Sequence, residues 1–216
     1  MSNNAIAKIE PWSCYYGQTK ERVMDEVPKL LPIFRKGKVK RILDLGCGAG
    51  GHAIYLAKQG FIVYGFDKSE RAINLARNNA QGQELNLDFR IHDMLSPFPY
   101  ENNFFDAVLC IRAMYHARLA QIKDVTKEIS RVTRKNGYIY ATGATKGQYP
   151  FLRSKGLRFK QIEPDTYISL NSKWKGTMRH FFNEKELREL FGNYEVKNVK
   201  FKKRLFSFFA QKKAES

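Results

Sequence analysis

The stretch RILDLGCGAGGHA, residues 41–53, sets Gly46, Gly48, Gly50 and Gly51 within six residues, directly after a short apolar run that carries Asp44. An apolar run followed by a helical pattern places these glycines at the carboxyl end of a strand. Open α/β sheets hold their ligands there, and missing side chains let a bulky group approach the backbone. The glycines satisfy both G-x-G-x-G and G-x-G-x-x-G, so the loop by itself does not choose the ligand.

Outward from the loop, runs rich in β-branched residues alternate with helical patterns, which is the mark of a largely parallel sheet. Strands are expected at 39–45, 61–66, 86–91, 105–111 and 137–143, with helices near 50–59, 69–80 and 118–134. Ser69-Glu70 opens the second of these helices with a cap and an acid suited to the helix dipole. Near the end, NEKELRELF (183–191) reads as a capped helix. YEVKNVKFK and RLFSFFAQK then read as two strands joined by almost nothing, so they must be antiparallel. Residues 144–182 read as a long loop, and a loop of that length in a compact domain is usually functional. Residues 1–38 are expected to be an aromatic-containing lead and one helix, 19–31, bent or shortened by Pro28.

The ligand is narrowed by acids at the strand ends. Asp44, two positions before Gly46, would repel a pyrophosphate but suits a ligand presenting an ammonium group. Asp67 closes the strand YGFD, 21 residues after Gly46, where a carboxylate can accept hydrogen bonds from two ribose hydroxyls. Asp93, in IHDML, ends the next strand and is placed to receive an adenine amino group. Three strand ends offer three acids to one nucleoside with a cationic tail.

With LDLGCGAGGHA, VYGFDKSERAINLARNN, HDMLSPFPYENNFFDAVLC and EISRVTRKNGYIYATG, the chain resembles a class I S-adenosylmethionine-dependent methyltransferase over residues 39–143. The resemblance implies a Rossmann-like α/β fold. Its mostly parallel seven-stranded sheet has the order 3-2-1-4-5-7-6, with an antiparallel final strand and helices on both faces. It implies a single domain: an N-terminal cap segment 1–38, a cofactor-binding core 39–143, a substrate-side insertion 144–182, and a final helix and hairpin 183–216. It also implies S-adenosyl-L-methionine as cofactor and S-adenosyl-L-homocysteine as product. The positions expected to hold the cofactor are Asp44, Gly46, Cys47, Gly48, Gly50, Asp67, Lys68, Asp93, Met94, Ile111, Arg112 and Tyr16. Cys47 is expected to contribute backbone, because the loop offers it no adjacent base. Within the family, WSCYYG (12–17) and HFFNEKELRELF (180–191) are similar to small stand-alone enzymes of the tellurite-resistance type.

Methyl transfer is an in-line displacement, so positioning and exclusion of water can supply much of the rate. A base is required only where the nucleophile must lose a proton. The catalytic candidates are His180, His116 and Tyr16. Tyr15 or Trp12 would shield the methyl group, and His52 and His92 are weaker candidates. The basic segment before His180 is expected to act as a lid. No metal-ligand cluster is visible, and Cys14, Cys47 and Cys110 are read as reduced thiols.

The charge leaves the methyl acceptor open between classes. The chain carries a formal net charge of +17, divided between 14 Lys/Arg against 12 Asp/Glu in residues 1–108 and 24 against 9 in residues 109–216. A field of one sign attracts anions. A small, anionic acceptor is favoured, with Arg112, Arg118, Arg153, Lys155 and Arg158 as contacts. The alternative is an RNA-directed enzyme methylating ribose or a ring nitrogen, its lysines and arginines covering phosphates. The C-terminal phenylalanines are expected in the core, since alternate strand residues face opposite sides. The fourth strand ends in CIRA, not in the Asn/Asp-Pro-Pro-aromatic tetrad of enzymes that methylate exocyclic amines. A non-catalytic scaffold is a third, remote reading. No run reaches the roughly 18 apolar residues of a membrane span, and MSNNAIAKIEPW lacks the layout of a secretion signal. The expected place is the cytoplasm.

Overall fold

A computed structural model of the chain describes residues 23–214. Five parallel strands come first: β1 (Arg41–Leu45), β2 (Ile62–Asp67), β3 (Leu87–Ile91), β4 (Phe105–Ile111) and β5 (Thr133–Ala144). The connecting helices are α2 (Gly51–Lys58), α3 (Glu70–Ala80) and α4 (Leu119–Val132), preceded by α1 (Leu31–Lys36). Residues 144–182 add α5 (Gln148–Ser154) and strands β6 (Phe159–Glu163), β7 (Thr166–Ser169) and β8 (Met178–His180). The chain closes with α6 (Glu184–Leu190), β9 (Tyr194–Phe201) and β10 (Leu205–Lys212).

The main sheet runs β3-β2-β1-β4-β5-β10-β9. Only β10 opposes its neighbours, pairing antiparallel with both β5 and β9. With the three short strands set apart, this is the expected 3-2-1-4-5-7-6 order of the class I methyltransferase fold. Alternation along the strands feeds two cores. Val108 and Cys110 of β4 face α4 and α6, which supply Ile122, Val125, Ile129 and Leu187. Ala107, Leu109 and Ile111 face α1, α2 and α3, which supply Phe34, Leu56 and Ile73. The C-terminal Phe206, Phe208 and Phe209 are all buried, divided between the two faces.

Two expectations are corrected. Among the described residues the helix expected at 19–31 is instead a 3-10 turn, Pro28–Leu30, that leads into α1. Pro28 and Pro32 sit in first turns, where a missing N–H costs nothing, so they start helix instead of bending it. Residues 144–182 are not a structureless loop. β6, β7 and β8 form an antiparallel sheet of their own. The small sheet is tied to the carboxyl ends of β4 and β5, because His180 N–H donates to Tyr115 O at 2.8 Å and Phe182 N–H to Ala144 O at 2.9 Å.

Candidate functional site

The turn after β1 is built on backbone that only glycine adopts cheaply. Gly46 has φ +69° and Gly50 φ +83°, and a side chain at Gly46 would place its Cβ 2.5 Å from that of Ala113. The turn is anchored across the strands: Gly46 N–H and Cys47 N–H both donate to Phe66 O, at 2.9 and 3.0 Å. Cys47 is packed against Gly65 and does not line the cleft described below.

Asp67 joins this turn to the next. Its Oδ2 accepts Gly48 N–H at 3.1 Å and its Oδ1 accepts Ser69 N–H at 2.9 Å. Ser69 in turn caps α3 by accepting Ala72 N–H at 3.3 Å. Asp44 is 1% exposed, at the end of β1. Asp93 Oδ1 accepts Leu95 N–H at 3.0 Å in the turn after β3. At the end of β4, Arg112 takes φ +55°, a left-handed conformation costing a non-glycine residue about 1 kcal/mol. It is held there by Thr142, whose carbonyl and hydroxyl both accept Arg112 N–H.

These strand ends enclose a cleft of about 580 Å³, its open mouth included. Its walls bring together Gly46, Asp67, Lys68, Asp93, Met94, Arg112 and His116 from the anticipated set. Phe66, His92, Leu95 and Ala113 complete it, and of these only His92 was among the candidates. Asp44, Gly48, Gly50 and Ile111 are not among the lining residues: Asp44 and Ile111 lie in the last two positions of β1 and β4, and Gly48 and Gly50 in the turn after β1. Tyr16, Tyr15, Trp12 and Cys14 lie outside the described residues. Among the described residues no three His, Cys, Asp or Glu side chains are arranged to hold a metal ion, and no helix is long and apolar enough to cross a membrane.

The histidines divide by environment. His116 Nδ1 lies 2.8 Å from Met178 O, which can only accept, so Nδ1 carries the proton. Burial, then the charges of Arg179 and Lys68, push its pKa down to about 3. An imidazole so weakly basic is neutral at physiological pH, and it orients a partner better than it removes a proton. His52 accepts Met24 N–H on Nε2 at 3.2 Å, and burial followed by the charge of Arg112 lowers it to about 4. Cys110 is pushed up to about 12, chiefly by burial, and remains a thiol.

His180 does not line the cleft. It is 1% exposed, with Nδ1 2.6 Å from Thr166 Oγ1 and Nε2 2.9 Å from Glu186 Oε2. Both nitrogens are engaged in joining β7, β8 and α6, which is a packing role and not that of a proton carrier in the cleft. Its neighbour on β8, Arg179, was not singled out from sequence. The available signal was the period of a strand: adjacent residues face opposite sides, so a His facing the scaffold leaves the Arg facing the other way.

Residues 42–137 match a family model described as a methyltransferase domain. A ubiquinone biosynthesis O-methyltransferase of Coxiella burnetii is 38% identical over 79 residues, 37% of this chain and 33% of that protein. A tRNA N(3)-methylcytidine methyltransferase of Drosophila melanogaster is 26% identical over 194 residues, 82% of this chain and 58% of that protein. The crystal structure of a SAM-dependent methyltransferase from Methanosarcina mazei superposes with a TM-score of 0.71 at 25% identity, covering 85% of this chain and 98% of that one. The chain spans about half, or less, of the length of the curated relatives it first matches.

Proposed function

We propose that this chain is an S-adenosylmethionine-dependent methyltransferase acting on a small, anionic acceptor. The observation that carries the first part is the carboxylate of Asp67, clamped by Gly48 and Ser69 N–H groups at the mouth of a glycine turn, with Asp44 and Asp93 at the flanking strand ends. An ionised carboxylate has about four acceptor sites and only accepts, which is the chemistry a ribose diol requires of its partner. The donor set fits the cofactor. Asp44 suits an ammonium, Asp67 a ribose diol and Asp93 an exocyclic amine, while Gly46 leaves the backbone open to close approach.

When bound, S-adenosylmethionine supplies a methyl group activated by a sulfonium, and S-adenosylhomocysteine remains after transfer. The chain's own part is to hold the reacting groups in line and exclude water. Gly46 opens onto the cleft with Cys47, Gly48 and Gly50 completing the turn behind it, Lys68, Met94 and Arg112 border it, Ile111 ends the strand that leads into Arg112, and neutral His116 presents a hydrogen-bonding wall on the acceptor side. His116 then acts by orientation. The small sheet of residues 159–180, tied to the ends of β4 and β5, backs the lining residue His116 through Met178 O.

A second reading, an RNA acceptor, is favoured by one observation. The match to a tRNA methyltransferase covers 82% of this chain and so extends into its basic half. The likeness to tellurite-resistance enzymes bears little on the acceptor, because His180, Asn183 and Glu186 of its C-terminal motif are occupied in packing and helix capping. The test is transfer of tritiated methyl groups to lysate fractions separated into metabolites, RNA and protein. Label in the metabolite fraction alone supports the small acceptor. Label in RNA alone transfers the assignment to the second reading, and label in none overturns the activity.

A further inference from the structure

Arg179, on β8, is 7% exposed, and its Nε is buried without a hydrogen-bond partner among the described residues. No carboxylate among the described residues lies within ion-pair distance of it, although 11 such pairs form elsewhere. Its guanidinium carbon lies 5.6 Å from the Trp174 ring centroid, and burial holds its pKa below the ordinary value. Buried charges are ordinarily paired, because removing a cation from water costs several kcal/mol. Aromatic contact offsets only part of that.

Arg179 is not itself among the residues that line the cleft, but three links set it behind His116, which is. The carbonyl of Met178, the residue before it, accepts His116 Nδ1–H at 2.8 Å. The N–H of His180, the residue after it, donates to Tyr115 O at 2.8 Å. The positive field of Arg179 also reaches the His116 ring, which lines the cleft. The cations anticipated as acceptor contacts, Arg112, Arg118, Arg153, Lys155 and Arg158, are all exposed, where water and salt weaken any pairing. Arg179 is sheltered, so one oxyanion brought to it meets a far stronger field.

We infer that Arg179 is the anion anchor of the acceptor subsite: it receives an oxyanion group of the acceptor and so fixes the methyl-accepting atom beside His116. The inference rests on the methyltransferase reading and names the residue that selects the acceptor. Arg179 would be a binding residue, with Trp174 backing the planar guanidinium that a planar oxyanion meets through paired hydrogen bonds.

Calorimetry on the full chain tests this in two stages. S-adenosylhomocysteine is first titrated into wild type, Arg179→Met and Arg179→Lys. All three are expected to bind it within twofold, and absence of binding to wild type overturns the methyltransferase reading and this inference with it. Benzoate, its neutral amide and inorganic phosphate are then titrated into each saturated protein. Wild type is expected to take up benzoate or phosphate but not benzamide, Arg179→Met to lose at least tenfold, and Arg179→Lys to retain part of the affinity. Without ligand, the melting temperature of Arg179→Met should equal or exceed that of wild type, since an unpaired buried charge has been removed. Failure of both anions to bind, equal binding of benzoate and benzamide, or unchanged benzoate affinity in Arg179→Met each overturns the inference alone. A fall in melting temperature of more than about 4 °C in Arg179→Met also overturns it and makes the guanidinium a packing element.

Discussion

Gly48 donates its backbone N–H to Asp67 Oδ2 at 3.1 Å, so the carboxylate that ends β2 is fastened to the turn that follows β1. The other oxygen takes Ser69 N–H at 2.9 Å, and Ser69 starts α3. One acidic side chain therefore sets the spacing of two strand ends and a helix start. Hydrogen bonds to a charged group are worth about 1.5–3 kcal/mol each, which makes Asp67 a structural clamp as well as the proposed ribose acceptor.

The crowding of the glycine turn is separable from its backbone conformation. Gly46→Ala meets both φ +69° and Ala113 at 2.5 Å, whereas Gly82→Ala meets φ +74° in open space. Urea denaturation should show Gly82→Ala losing about 1 kcal/mol and Gly46→Ala about 2–4 kcal/mol once overpacking is added. Equal losses would mean the turn has room for a side chain.

Acid should destabilise the protein through two neutral histidines. His52 and His116 have folded pKa values of about 4 and about 3, below the roughly 6.5 of an unfolded chain. Between those limits the unfolded state binds more protons. The stabilisation is complete above about pH 6.5 and declines as pH falls, by about 1.4 kcal/mol per pH unit for each group. His116→Asn should flatten the slope of urea stability between pH 6 and pH 4.5. An unchanged slope would show that His116 titrates normally.

His180 should matter to folding and not to cofactor binding. Removing a buried ring that joins Thr166 to the half-buried Glu186 deletes two hydrogen bonds and leaves a cavity, so His180→Ala is expected to cost about 2–4 kcal/mol. The affinity for S-adenosylhomocysteine should stay within twofold. A variant with wild-type stability and lost turnover would restore the catalytic role once expected of it.

Salt separates the two acceptor classes. Turnover of a small acceptor should change by less than about tenfold between 50 and 200 mM salt, whereas a protein neutralising 6–10 phosphates loses about 10³–10⁵ in affinity over that range. The sensitive position is Phe151, 37% exposed, with the Arg204 guanidinium 4.1 Å and the Lys155 ammonium 5.8 Å from its ring. Phe151→Ala should leave methylation of the metabolite fraction unchanged. A parallel loss of RNA retention and methylation would favour the RNA reading.

The parts of the fold that were legible are those whose pattern is long enough to count. β4 is seven residues, apolar at every position but Asp106, and lies at the anticipated 105–111. The near-absence of a linker between β9 and β10 dictated their antiparallel pairing. β8, by contrast, is three residues long, and β6 has no buried residue and carries polar residues on both faces, so neither yields an alternation to find. β5 starts at Thr133, four residues before its expected start, since α4 ends at Val132 and the strand continues through Asn136 and Gly137, residue types that read as a turn. At the site, Asp67 and Asp93 were legible because strand ends announce themselves. Arg179 was not, because its significance lies in the pairing it lacks, and His180 beside it drew attention for its chemistry while its ring turns toward Thr166 and Glu186.

Titration calorimetry of S-adenosylhomocysteine into the full chain and into Asp67→Ala tests the central claim most directly. The account predicts binding of one molecule per chain, weakened about 10- to 100-fold in Asp67→Ala by loss of charged hydrogen bonds, with circular dichroism showing both proteins folded. No heat of binding to folded wild type, or equal affinity for the two proteins, would contradict it.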